Sequence, residues 1–222
     1  MTYAGRLDPM AEGVLLIIAR GELKNFHDHL CYQKEYLAEI IFGLSSDTYD
    51  ILGLPNYHNN QPNKKKIEEK LKSFRGVFNF KLPPFSGYKI KGKPLFRWAL
   101  DGRIDEVDIP TKKVDLKKIS ISEIRDVNSR QVSSEIDQRL STVVGNFRQD
   151  RIRREWAGLF KSIQDDFKIV KIKIKCGSGF YVRSLAHKAG KELSTGGLLF
   201  SLKRTKVGQW GLESTQSIFD RY

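Results

Sequence analysis

Polar and apolar residues alternate most regularly over 169–176, with Val170, Ile172, Ile174 and Cys176 on one side and Lys171, Lys173 and Lys175 on the other. A period of two is that of a strand with one buried face, and a solvated face is the default reading of the lysines. Residues 34–43 repeat the pattern, with Tyr36, Ala38, Ile40 and Phe42 set against Leu37, Glu39 and Ile41. A continuous apolar run at 14–19 predicts a buried strand, and 114–124 alternates weakly enough to predict another. The tail, 197–208, carries a short basic strand at Leu202-Lys203-Arg204-Thr205.

Helical spacing appears elsewhere. Leu23, Phe26 and Leu30 predict a short amphipathic helix, and Ile67, Leu71 and Phe74 a longer one over 64–76 with Gly76 as its C-cap. Residues 93–102 read as a helix opened by Pro94 and closed by Gly102. Ile136, Leu140, Val143 and Phe147 place one or two helices in 133–163, broken near Gly145-Asn146. After the 169–176 strand comes the bend Gly177-Ser178-Gly179, then a helix through Leu193. No repeat, low-complexity tract or linker divides the chain. At 222 residues it reads as a single domain, 1–222, with a helical insertion at 128–163.

Composition narrows the partner. Lys and Arg number 39 against 26 acidic residues, a formal net charge of +13, which favours a polyanion. No apolar run approaches the roughly 20 residues that span a bilayer, and no basic leader precedes an apolar one, so nucleic acid is preferred to a membrane. Cys31 and Cys176 lie too far apart to suggest zinc spacing, and the four histidines are scattered, so no metal is expected and a reducing, cytoplasmic setting is. The glycine-rich bend before Arg183 lacks Walker or dinucleotide spacing, which excludes a nucleotide cofactor.

The chemistry concentrates at Gly5-Arg6-Leu7-Asp8-Pro9-Met10-Ala11-Glu12-Gly13. Pro9 restricts Asp8 to extended backbone, and the flanking glycines permit close approach of another molecule. An isolated carboxylate in a basic protein then has two candidate companions, Tyr36 on its strand and the Tyr181/Arg183 junction. An arginine keeps such a carboxylate ionised, and a tyrosine supplies a stacking face and a hydroxyl. The set suits metal-free chemistry on a nucleoside taken out of its stack.

These stretches resemble the TruB-type family of tRNA pseudouridine synthases. The resemblance rests on GRLDPMAEGVLLI around Asp8, KEYLAEIIFG around Tyr36, SSDTYDILG, LPPFSGYKIKGKPLFRWALDG, CGSGFYVRSLAHKAGKEL and LFSLKRTKVG, in the family's order. It implies an α+β fold, a mixed, largely antiparallel central sheet flanked by helices, and isomerisation of the tRNA T-loop uridine without a cofactor by a monomer. It also implies that Asp8 is the catalytic aspartate, that Tyr36 stacks on the base and handles the C5 proton, and that Arg183 pairs with Asp8. Tyr181 and Leu202 would then line the base pocket. Tyr3 stands where the family often has a histidine that assists base flipping.

The region 93–102 is similar to the segment that grips the tRNA arm, so Lys93 and Arg97, with Lys89 in the basic loop before it, are expected to contact RNA. The cluster Arg148, Arg151, Arg153 and Arg154 is expected to do the same, with a solvated helix face as the alternative. The family's usual N-terminal segment and C-terminal RNA-binding domain have no counterpart in these matches. That leaves two alternatives to an active tRNA enzyme: an RNA-binding or RNA-folding protein with weak or no catalysis, and a same-fold synthase acting on ribosomal RNA.

Overall fold

The computed structural model describes residues 1–215. A seven-stranded sheet forms its centre. In chain order the strands are β1 (Glu12–Gly13), β2 (Lys34–Phe42), β3 (Gly76–Lys81), β4 (Thr111–Asn128), β5 (Asp166–Cys176), β6 (Gly197–Val207) and β7 (Trp210–Gly211). The path across it is β7-β6-β2-β5-β4-β3, antiparallel throughout, and β1 lies parallel to β6 off that path. The helices are α1 (Phe26–Cys31), α2 (Lys64–Ser73), α3 (Leu95–Leu100), α4 (Ser129–Ser141), α5 (Gln149–Ser162) and α6 (Val182–Glu192). The fold is α+β, with the mixed, largely antiparallel sheet expected from the sequence.

Alternation decides which helices cover which face. Tyr36, Ala38, Ile40 and Phe42 join Val170, Ile172, Ile174 and Cys176 beneath Ile67 and Leu71 of α2 and Leu185, Ala186 and Ala189 of α6. The opposite parity, Ile41, Phe167, Ile169, Leu198 and Phe200, packs beneath Val132, Ile136 and Leu140 of α4 and Ile152 and Trp156 of α5. The pair α4–α5 thus leaves the sheet between two neighbouring strands and folds back over one face. Its first helix starts cleanly, because the Asn128 side chain accepts from the Gln131 amide while the Gln131 side chain accepts from the Asn128 amide. A third, smaller cluster around Leu82, Leu95 and Val107 carries α3 and reaches Tyr181.

Several local expectations are corrected. The 14–19 run is not one buried strand: Leu16–Ile18 pairs with Thr2–Ala4 in a separate two-stranded sheet, and only Val14 and Ile18 of the run are buried. The helix expected at Leu23, Phe26 and Leu30 forms as a 3-10 turn followed by α1, but none of the three is buried. Gly76 is not the cap of α2, whose C-cap is Phe74; its φ of +86° instead opens β3. The tail strand runs from Gly197 to Val207, and Arg204 within its basic stretch is 1% exposed.

Candidate active site

The Asp8 loop is a turn stapled to β6. The Ala11 amide donates to the Asp8 carbonyl at 2.8 Å, closing a turn around Pro9, and the Val14 amide donates to the Arg204 carbonyl at 2.8 Å. Gly13 makes the second contact possible. Its φ is +106°, and a Cβ there would sit 2.2 Å from the Arg204 carbonyl oxygen. The buried Arg204 side chain completes the staple, donating from Nε to the Val14 carbonyl at 2.7 Å and from Nη2 to the Gly5 carbonyl at 3.1 Å. One arginine therefore fixes both ends of the loop that carries Asp8.

Arg183 meets Asp8 from the first turn of α6. Its Nε donates to Asp8 Oδ2 at 2.8 Å and its Nη2 to Asp8 Oδ1 at 2.9 Å, a two-pronged pair that sets the plane of the carboxylate. The guanidinium is nearly enclosed, whereas the Asp8 side chain keeps 26% of its surface, so the carboxylate is the reachable member. Nη1 donates to the Thr48 carbonyl at 2.9 Å, and Nη2 makes a long 3.5 Å contact with the Phe85 carbonyl. A second carboxylate, Asp50, lies 3.6 Å from Nε. Burial opposes the Arg183 charge, but Asp8 and Asp50 outweigh it and raise its pKa above the ordinary arginine value.

Asp50 is the second carboxylate of the site, which the sequence marks only as one of two acids in the SSDTYDILG turn. It is buried, and Oδ1 accepts from the Thr48 hydroxyl at 2.6 Å and from the Leu52 amide at 2.9 Å. Burial pushes its carboxyl up to about 6, against the pull of Arg183 and those two hydrogen bonds, with Asp8 adding to the rise. Two carboxylates thus share one guanidinium, and the better buried one titrates near neutrality. Asp50 stood in the SSDTYDILG turn between apolar runs; a carboxylate in such a turn signals a buried hydrogen-bonding role as well as a loop.

Tyr36 pairs in register with Arg204 on β6 and Ile174 on β5. Burial pushes its hydroxyl up to about 12, so the phenol is neutral at physiological pH. Tyr181 precedes α6, beneath the Arg183 guanidinium at 5.9 Å from its ring centroid, and its pKa is raised by burial and then by Asp8. Leu202 is buried in the same cluster as Tyr36. Tyr3 is 40% exposed, and its hydroxyl accepts from Arg6 Nη2 at 2.7 Å.

The candidate RNA contacts separate into two kinds. Lys89, Arg97, Arg151 and Arg154 are exposed. Lys93 is engaged instead, in an ion pair with Asp101 and 4.5 Å from the Trp98 ring centroid. Arg153 donates twice to Asp137, and Arg148 donates to Asp47 at 3.2 Å. The four arginines are therefore not one free cluster.

The model for "TruB family pseudouridylate synthase (N terminal domain)" matches residues 1–144. The chain belongs to the TruB family of pseudouridylate synthases. Relatives of this TruB chain named tRNA pseudouridine synthase B include that of Malacoplasma penetrans, 28% identical over 98% of this chain and 77% of its own length. That of Blochmanniella floridana is 30% identical over 98% and 71%, and that of Clostridium kluyveri 30% over 95% and 58%. The TruB chain thus spans between 58% and 77% of these relatives' lengths. Among solved structures, a Cbf5-Nop10-Gar1 complex matches with a TM-score of 0.58 at 18% identity, over 99% of this chain and 44% of that one. An H/ACA RNP bound to a substrate RNA containing 2'-deoxyuridine matches at 0.52 and 17%, over 94% and 39%. At those identities the two structures speak for the fold. Among the described residues, no helix is long and apolar enough to cross a membrane.

Proposed function

We propose that this TruB family member isomerises the T-loop uridine of tRNA, with Asp8 as the group that acts on the flipped nucleoside. The observation that carries the reading is the two-pronged Asp8–Arg183 pair, in which the arginine is enclosed and the carboxylate reachable. A uridine held out of its stack would meet Asp8 and have Tyr36 and Tyr181 as its aromatic neighbours. The C1′–N1 bond breaks, uracil turns, C1′ bonds to C5, and the C5 proton leaves as N1 gains one. Asp8 serves this either by forming a glycal at the sugar or by adding covalently, and Arg183 keeps it ionised and fixed in plane in both cases.

Tyr36, as a neutral phenol, stacks and hydrogen-bonds before it can serve as a base for the C5 proton. Lys89, Arg97, Arg151 and Arg154 are proposed as phosphate contacts, which supply affinity and position rather than chemistry. The enzyme is read as a cytoplasmic monomer.

Asp8→Asn tests the assignment. It keeps the shape of the turn and removes the charge, so pseudouridine formation in an unmodified tRNA transcript is expected to vanish while tRNA binding stays within about threefold, since binding rests on phosphate contacts. Substantial turnover by that variant would contradict the role of Asp8.

A further inference from the structure

The α4–α5 pair reaches the turn that holds Arg183 at two places. Arg148, the residue before α5, has a left-handed backbone with φ +65°, a conformation that persists in a non-glycine residue when its surroundings fix it. Its guanidinium donates from Nη2 to Asp47 Oδ2 at 3.2 Å and lies over the Phe85 ring, 4.7 Å from the centroid. Both contacts belong to segments that hold Arg183. Thr48, next to Asp47, gives its carbonyl to Arg183 Nη1, and the Phe85 carbonyl faces Nη2.

The connector that presents Arg148 is itself fixed. Gln149 donates to the Val143 carbonyl at 3.3 Å and accepts from the Phe147 amide at 2.7 Å. Trp156, about two turns further along α5, donates from its ring nitrogen to the Ile51 carbonyl at 3.0 Å, at the other end of the same turn. Asp47 is anchored on its far side, where Oδ1 accepts from the Leu54 amide at 2.7 Å. The turn 47–52, which carries Asp50 and Thr48, is therefore braced from outside at two points, one from α5 and one from the residue before it.

We propose that Arg148 is a positioning residue for the reaction, clamping the 47–52 turn and the Phe85 loop so that Arg183 stays seated against Asp8. This rests on the proposed role of the Asp8–Arg183 pair. An arginine suits the task because its flat guanidinium stacks on an aromatic ring while donating at its edge to a carboxylate. A lysine offers a point charge that cannot do both.

The test is a single-turnover rate at saturating unmodified tRNA, measured beside tRNA affinity and its salt dependence, for the full chain and for Arg148→Ala, Arg148→Lys and Asp47→Asn. Misplacement of a catalytic group by remote changes is expected to slow Arg148→Ala by between about tenfold and a hundredfold. Arg148→Lys is expected to be slowed nearly as much, with affinity within about twofold and the salt slope unchanged in both. Asp47→Asn, which keeps the side-chain shape, gives the same signature more weakly and serves if Arg148→Ala does not fold. Unchanged rates in an active protein overturn the positioning role alone. So does a loss confined to affinity that Arg148→Lys restores, since that marks a phosphate contact. An unaltered chain that binds tRNA yet makes no pseudouridine overturns the underlying reading, and the positioning role with it.

Discussion

The two faces of the central sheet bury different chemistry. Beneath α4 and α5 the layer is apolar, from Ile41, Phe167 and Ile169 to Ile136, Ile152 and Trp156, and charges such as Glu39, Arg125 and Arg139 gather at its margin. On the α6 side, Arg183, Asp50, Arg204 and Lys34 are all buried, and burial displaces ordinary titration: Cys176 goes up to about 12, and Lys34 goes down, with Arg204 adding to the fall. Buried charges are weak contributors to stability, because desolvation offsets much of their attraction. A protein that concentrates them on one face, and keeps the other nearly free of them, has separated the part that does chemistry from the part that secures the fold.

The largest effect expected from that contrast is on stability. Ile136→Ala removes a buried side chain from the apolar face and is expected to cost about 2–5 kcal/mol, read by thermal or denaturant unfolding. The single-turnover rate of the folded fraction should be unchanged, because Ile136 packs in the cluster beneath α4 and α5 and not in the one that holds Tyr36 and Leu202. A large rate loss in a folded variant would break the separation.

A smaller effect is expected from pH, and it sharpens the contrast from the other face. Asp50 gives Arg183 its second anionic partner only when ionised, so the rate is expected to fall by about tenfold per pH unit once the pH drops below about 6, the value to which burial raises Asp50. Asp50→Asn should flatten that limb while lowering the plateau. Stability moves in the opposite sense. The folded state holds this proton more tightly than the unfolded chain, whose ordinary value is 3.8, so the stabilisation from Asp50 is full below that value and is lost as pH rises through about 6. An acid limb that survives in Asp50→Asn would assign it to another group.

Smallest is the effect on RNA affinity. Arg151 and Arg154 are exposed, whereas Arg148 and Arg153 are spent on Asp47 and Asp137. Replacing Arg151 and Arg154 by Ser should weaken tRNA binding and reduce the slope of log affinity against log salt by about 1.4–1.8, at roughly 0.7–0.9 per lost contact. No change in slope would return both to a solvated helix face.

Much of this architecture was legible because period-two alternation is a local signal. The two faces of β2 and β5 were separated correctly by parity alone, and the helical break near Gly145-Asn146 falls between α4 and α5. Of Asp8, Tyr36 and Arg183, the set that the sequence pattern offers, Asp8 and Arg183 meet in a direct pair. What escaped was long-range. Arg204 looked like part of a basic strand, yet Leu202 two residues earlier shares its side of β6, and that parity was the available sign that Arg204 turns inward. Arg148 looked like one of four equal arginines; nothing local marks it as the one that meets Asp47 and Phe85, which lie 101 and 63 positions earlier in the chain. The 14–19 run misled because apolarity reports a preference for burial and not which strand a segment pairs with; its strand joins Thr2–Ala4 in a two-stranded sheet of its own.

The central claim is tested most directly by incubating the purified protein with an unmodified full-length tRNA transcript and mapping pseudouridine chemically along the whole molecule. The account predicts new pseudouridine at one uridine of the T-loop and none elsewhere. Binding without any pseudouridine, or modification confined to other positions, would contradict it.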